Sequence, residues 1–227
     1  MEARTLTFLY MMIEKDYAWR VIELSNFRSS LLIEKNERAK KAKIRAGIAL
    51  LYSHWEGFVK TIAEFYYEFV GFQNHKIEEL NDAFVSITLR SELNLLINTN
   101  KLKIHTQLIR TLIDEKQKIA HFSSISPIRT SNLKFNVFED VCILLGIEPA
   151  EFEIRYRGKF DRNIQLTIDE DLVDKRNSIA HGEYLSVSLN DYAKLYDIVI
   201  NGFLFNFKEI IMDSAQNKKY LRTIYAS

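Results

Sequence analysis

Structure breakers are scarce in this chain. Its 227 residues include only 7 glycines and 2 prolines, so little in the sequence interrupts long helices. A single cysteine, Cys142, excludes an internal disulfide and fits a reducing cytoplasm. No apolar run approaches the roughly 18 residues of a membrane span, and no signal peptide is expected. The run Phe8–Ile13 is closed by Glu14, Lys15 and Asp16. An excess of charge of one sign is also missing. With 31 basic and 30 acidic residues the net charge is +1, so any nucleic-acid contact has to come from local patches. A Gly-rich phosphate loop, a G-x-S-x-G elbow and an H-E-x-x-H pairing are absent, and His54, His75, His105 and His121 are scattered. No cofactor is expected.

What is present is apolar and helical in pattern. Apolar residues make up 47% of the chain, and the length suits one sizeable core, so residues 1–227 are read as a single all-α domain. Residues 2–33 carry apolar side chains at mixed three and four spacing, from Leu6 to Leu31. A second, longer helix begins near Asn36. Its first part, Lys35 to Arg45, is basic, whereas Ile48 to Phe72 is apolar over so wide an arc that it belongs at the centre of a bundle. Gly47 and Gly57 inside it each cost about 1 kcal/mol relative to Ala, which implies close approach of another helix there. Two short helical pieces with a break near Ser86–Ser91, a helix over Lys103–Ala120 and a loop over His121–Asn132 follow. Leu133–Leu145 reads as a helix ended by Gly146. Pro149 restarts a turn, Phe152–Leu166 reads as irregular or briefly extended, and Leu189–Met212 is a long amphipathic helix.

One further stretch, Thr167 to Tyr184, combines a specified helix with chemistry. Thr167 and Glu170 match a capping box, and Asp169 and Asp171 add negative charge suited to a helix N-terminus. Leu172, Val173, Arg176, Ile179 and Ala180 recur at helical spacing, and Gly182 suits the C′ position. The expected helix runs from about Ile168 to His181. Arg176 falls within its apolar sector, an unusual place for a guanidinium. His181 is rotated about 140° from Arg176 and displaced roughly 7.5 Å along the axis, whereas Asn177 and His181 are i,i+4 neighbours. A cation and a proton-transfer group thus ride on one helix without facing each other. If two copies of the helix met, the Arg of one would complete the His site of the other.

Arg176-Asn-Ser-Ile-Ala-His181 resembles the R-x4-H motif of the HEPN superfamily. Tyr52-Ser-His-Trp-Glu-Gly-Phe-Val-Lys60 resembles the W-E-G-F-x-K signature of its RiboL-PSP or MAE-type branch. Ser131-Asn-Leu-Lys-Phe135 and Leu144-Leu-Gly-Ile147 are similar to the segment that this branch carries before its catalytic helix. The resemblance implies an all-α, HEPN-like helical bundle with long antiparallel helices and a few extra ones. It also implies a metal-independent endoribonuclease, working as a homodimer in a toxin–antitoxin or phage-defence setting with a cognate antitoxin protein. The ribose 2′-hydroxyl would attack the neighbouring phosphate, His181 would move protons, Arg176 would stabilise the phosphorane-like charge, and Asn177 would orient His181 or the phosphate.

Each candidate carries a plainer reading. Arg176 and His181 also suit an ion-pair residue and a helix-terminal imidazole. Lys40, Lys41 and Lys43 are candidate contacts to an RNA backbone or a solvated helical face. Tyr184 is a candidate for modification with AMP by a partner nucleotidyltransferase, by resemblance to HEPN toxins carrying a Tyr two residues after the His; here the spacing is three, and ordinary packing is the other reading. Trp55, Glu56, Gly57 and Lys60 are expected to be architectural, with Glu56 partnering a buried cation. Asp169, Glu170, Asp171 and Asp174 form an acidic cluster without a His or Cys at metal spacing. The competing function is a non-catalytic HEPN module that binds a partner protein or RNA.

Overall fold

The computed structural model describes residues 2–120, 122, 132–183 and 185–223, the Leu112 side chain excepted. Most of the expected loop 121–132, Ser131 of the third signature, Tyr184 and the last four residues lie outside these. The described residues form an all-α bundle, with β pairing limited to the isolated bridges Lys76–Ile119 and Leu80–Leu221.

Two long helices make the frame. Helix α1 spans Leu6–Leu32, with the Thr5 hydroxyl accepting from the Phe8 amide. Helix α2 spans Glu37–Phe72, with Asn36 Oδ1 accepting from the amides of Arg38 and Ala39. At 1.5 Å per residue its 36 residues reach roughly 54 Å, and its apolar arc forms the axis of the core as its pattern requires. Trp55 is fully buried, with Phe138, Phe152, Phe203 and Phe207 at ring-centroid distances of 5.1, 6.0, 5.0 and 6.2 Å. Gly47 and Gly57 mark close approaches. A Cβ on Gly47 would stand 2.6 Å from Tyr192 Cε2 and 2.8 Å from Phe27 Cε1, and one on Gly57 would stand 2.9 Å from Arg20 Nη1.

Around this axis lie α3 (Asp82–Thr88), α4 (Arg90–Ile97), α5 (Leu102–Glu115), α6 (Phe135–Leu144) and α7 (Pro149–Arg157). The break between α3 and α4 falls at Leu89, within the expected interval. Helix α5 stops five residues before the expected Ala120. The following backbone is drawn into pairing with the chain beyond α2: the Ile77 amide donates to Lys118 O at 3.0 Å, and the Ala120 amide to His75 O at 2.9 Å.

Two expectations are corrected. Phe152–Leu166 is irregular only over residues 158–163 and helical on either side: α7 runs to Arg157, with Phe152 and Tyr156 buried one turn apart, and α8 (Ile164–Leu166) starts where Asn163 Oδ1 accepts from the Leu166 amide. The motif helix therefore begins before Thr167, and there is no capping box there. Thr167 is fully buried, donates from Oγ1 to Asn163 O at 2.8 Å and contacts the Tyr156 hydroxyl at 3.2 Å. From Thr167 to Asp174 the rod is π-helical, then α9 (Lys175–Ala180) completes it. Helix α10 (Leu189–Asp197) likewise passes through π-helical Ile198–Leu204 into α11 (Phe205–Gln216). No helix among the described residues is long and apolar enough to cross a membrane.

Candidate functional site

The site is built where α9 lies along α2. Tyr52, Glu56 and Lys60 recur every fourth residue, so they form one rail along α2. Tyr52 is fully buried; its hydroxyl accepts from the Leu133 amide at 2.8 Å and hydrogen-bonds the Glu56 carboxylate. Burial pushes the Tyr52 phenol up to about 12, the bond from Leu133 opposes that shift, and Glu56 reinforces it. The ring stays neutral at physiological pH. Lys60 Nζ meets Glu56 Oε1 at 2.6 Å and holds the carboxylate from the other side.

Arg176 closes over this rail. Its guanidinium carbon stands 4.6 Å from the Tyr52 ring centroid, a cation–π contact. Nη2 lies 4.0 Å from Glu56 Oε2, and Nη1 donates to Asn177 Oδ1 at 2.7 Å and to Asn132 Oδ1 at 3.3 Å. The side chain keeps 29% of its surface in solvent. It is thus ordered by these groups, among others, yet not sealed. That arrangement accounts for a guanidinium in an apolar sector: the sector is lined there by an aromatic face and a carboxylate, which meet its charge and its donors.

His181 sits at the other end of α9. The helix closes in a Schellman turn, with the Gly182 amide donating to Ile179 O at 3.1 Å and the Glu183 amide to Ser178 O at 2.9 Å. Gly182 adopts φ +75°, the left-handed conformation expected at C′. The turn leaves the His181 side chain exposed, with no hydrogen-bond or ion-pair partner among the described residues. Asn177 gives its amide oxygen to Arg176 rather than to the imidazole. Arg176 and Asn177 are therefore brought together, and His181 shares no partner with them.

The other candidates are placed as follows. Lys43 pairs with Glu34 at 2.8 Å and donates to Ser30 O at 3.2 Å, which staples the α1–α2 turn. Lys41 is exposed and Lys40 partly so. Asp169 Oδ1 accepts from the Phe135 amide at 2.7 Å and so serves the first turn of α6, not its own helix. Asp171 is held between Arg162 and Lys175, each at 2.6 Å, and Asp174 faces Lys134 at 3.7 Å. Tyr52 and Asn132 were missed as companions of Arg176. The spacing of Tyr52, Glu56 and Lys60 carried a signal for the first; nothing local carried one for the second.

An all-α bundle with a W-E-G-F-x-K helix packed on an R-x4-H helix defines a HEPN-type class. Within it, the model of the MAE_28990-like HEPN family matches residues 10–220, and the chain belongs to that family. No curated protein matches it, and no solved structure does.

Proposed function

We propose that the protein is a metal-independent endoribonuclease whose site joins His181 of one subunit to Arg176 of a second across a homodimer, with residues 1–227 acting as one HEPN unit. The observation that carries this reading is the contrast between the two motif residues. Arg176 is oriented and still open to solvent, whereas His181 is exposed and has no hydrogen-bond or ion-pair partner among the described residues, at a helix end closed by a Schellman turn.

The chemistry follows from the groups. The ribose 2′-oxygen forms a bond to the adjacent phosphorus while the bond to the 5′-oxygen breaks, leaving a 2′,3′-cyclic phosphate. The 2′-hydroxyl proton goes to a base and the departing 5′-oxygen takes one from an acid; an imidazole, whose ring nitrogens can accept or donate a proton, suits such transfers. The planar donors of Arg176 neutralise the charge gathering on the non-bridging oxygens. Asn177, bonded to Arg176, positions the guanidinium, and Lys40 and Lys41 reach along the RNA backbone. The setting is a toxin–antitoxin or phage-defence system with a cognate antitoxin.

The test is incubation of the purified chain with total RNA in EDTA, followed by mapping of the cut ends. Cleavage with cyclic-phosphate ends is expected, lost in His181→Ala and in Arg176→Ala. Equal mixing of those two variants restores about a quarter of wild-type activity if statistical dimers each rebuild one intact site. Unchanged cleavage by His181→Ala sinks the proposal. The competing reading, a non-catalytic HEPN module binding a protein or RNA, draws on a specific fact. Glu56, Asn132, Asn177 and the Tyr52 face already engage Arg176, as a purely structural guanidinium would require.

A further inference from the structure

Helix α5 has two apolar faces and uses one of them. Ile104 and Leu108 are half-buried, and α4 is the principal neighbour of α5. No described residue of α5 is fully buried. The opposite side carries Leu102, Thr106, Ile109 and Ile113 at spacings of four, three and four, the seam of a helix that pairs with another helix. Leu102, Ile109 and Ile113 are 79%, 49% and 57% exposed. Leaving such a row in water forgoes the hydrophobic stabilisation that a partner burying it would supply.

The flanks say what kind of partner fits. At 100° per residue, Lys103 and Arg110 border the seam on one side, and Lys101 and Lys116 border it on the other. All four are exposed, and none has an ion-pair partner among the described residues. Of the nearby acids, Glu115 is already taken by Lys118, which leaves Asp114, farther round on the Lys103 side. A chain of net charge +1 thus concentrates unpaired cations along one apolar stripe. A second copy is a poor occupant, because an antiparallel pair sets Lys103 and Arg110 against their own counterparts. A polyanion without an apolar face leaves the leucine and isoleucines wet.

We infer that the outer face of α5 docks an amphipathic helix of another protein, with an apolar seam bordered by Asp or Glu. This inference is independent of the ribonuclease proposal. The probe is a fluorescent three-heptad peptide with Leu at the seam positions and Glu on both flanks, compared with a twin carrying Lys on the flanks. Like charges keep each peptide from pairing with itself. Fluorescence anisotropy with the full chain is expected to show the Glu peptide binding about tenfold or more tighter than the Lys peptide. Ile109→Asp with Ile113→Asp abolishes binding, and an unchanged melting curve shows that the fold survives, since both side chains are exposed. Lys103→Glu with Arg110→Glu inverts the preference between peptides. Equal binding of both peptides, or binding of neither, overturns the inference. So does sedimentation showing a dimer of the unmixed chain that the paired Asp variant dissolves, because the occupant would then be a second copy.

Discussion

At the scale of single residues, the sharpest dependence runs through Tyr52. Its hydroxyl accepts the buried Leu133 amide and its ring underlies Arg176. Tyr52→Phe keeps the ring but leaves that amide unpaired, so urea unfolding is expected to report a loss of about 1–3 kcal/mol. Glu56→Gln acts differently. It weakens the hold on both Lys60 and Arg176, and because these groups are partly solvated, the stability cost is expected to stay near 1 kcal/mol or below. If the ribonuclease reading is right, the same variant lowers kcat more than it raises KM, since a looser guanidinium is felt most where charge develops. Denaturation and initial-rate kinetics separate these two effects.

At the scale of elements, a glycine of α2 and the glycine that follows α9 make the same prediction for different reasons, crowding at one and backbone conformation at the other. Gly57→Ala gains about 1 kcal/mol of helix propensity but drives a methyl into Arg20. That guanidinium is buried, pairs with Asp16 at 2.6 Å and donates to His54 O at 3.2 Å, so it has little room to yield. A net loss of about 1–2 kcal/mol is expected by thermal or urea unfolding. Gly182→Ala meets open space, yet its φ of +75° penalises any Cβ, and about 1 kcal/mol should be lost. The motif helix also shows why its face was hard to read. Counting 100° per residue from Leu172 to Arg176 assumes α-helical winding, whereas π-helical winding persists through Asp174. Only beyond Lys175 does the α count between Arg176 and His181 hold.

At the scale of the whole molecule, the α1–α2 interface ties stability to pH. His54 is buried beside Trp19, with Nε2 3.0 Å from Glu23 Oε2 and Nδ1 unpaired among the described residues. Burial pushes its pKa below the ordinary 6.5, with Glu23 the main opposing influence. Between the folded and unfolded values the unfolded chain binds more protons, so stability rises with pH across that window. The contribution is therefore complete above 6.5 and is lost as pH falls below it. Urea midpoints are expected to drop between about pH 7.5 and 5.5, and to drop less in His54→Gln, which retains a donor toward Glu23. A midpoint independent of pH over this range would contradict the assignment.

The local chain determined the long helices, the Gly182 turn and the identity of the motif residues, because helix periodicity and caps are short-range properties. It did not reveal α7, α8 or the true start of the motif helix. The signature around Trp55 was legible for the same reason. What the chain could not disclose locally was where distant groups meet. Asn132 reaches Arg176 across 44 residues of sequence, Leu133 reaches Tyr52 across 81, and Asp169 serves the first turn of α6 instead of its own helix. Each of those hydrogen bonds needs a donor and an acceptor that only packing around α2 brings within 3.5 Å. Tertiary structure therefore decided that the guanidinium is held while the imidazole has no partner among the described residues.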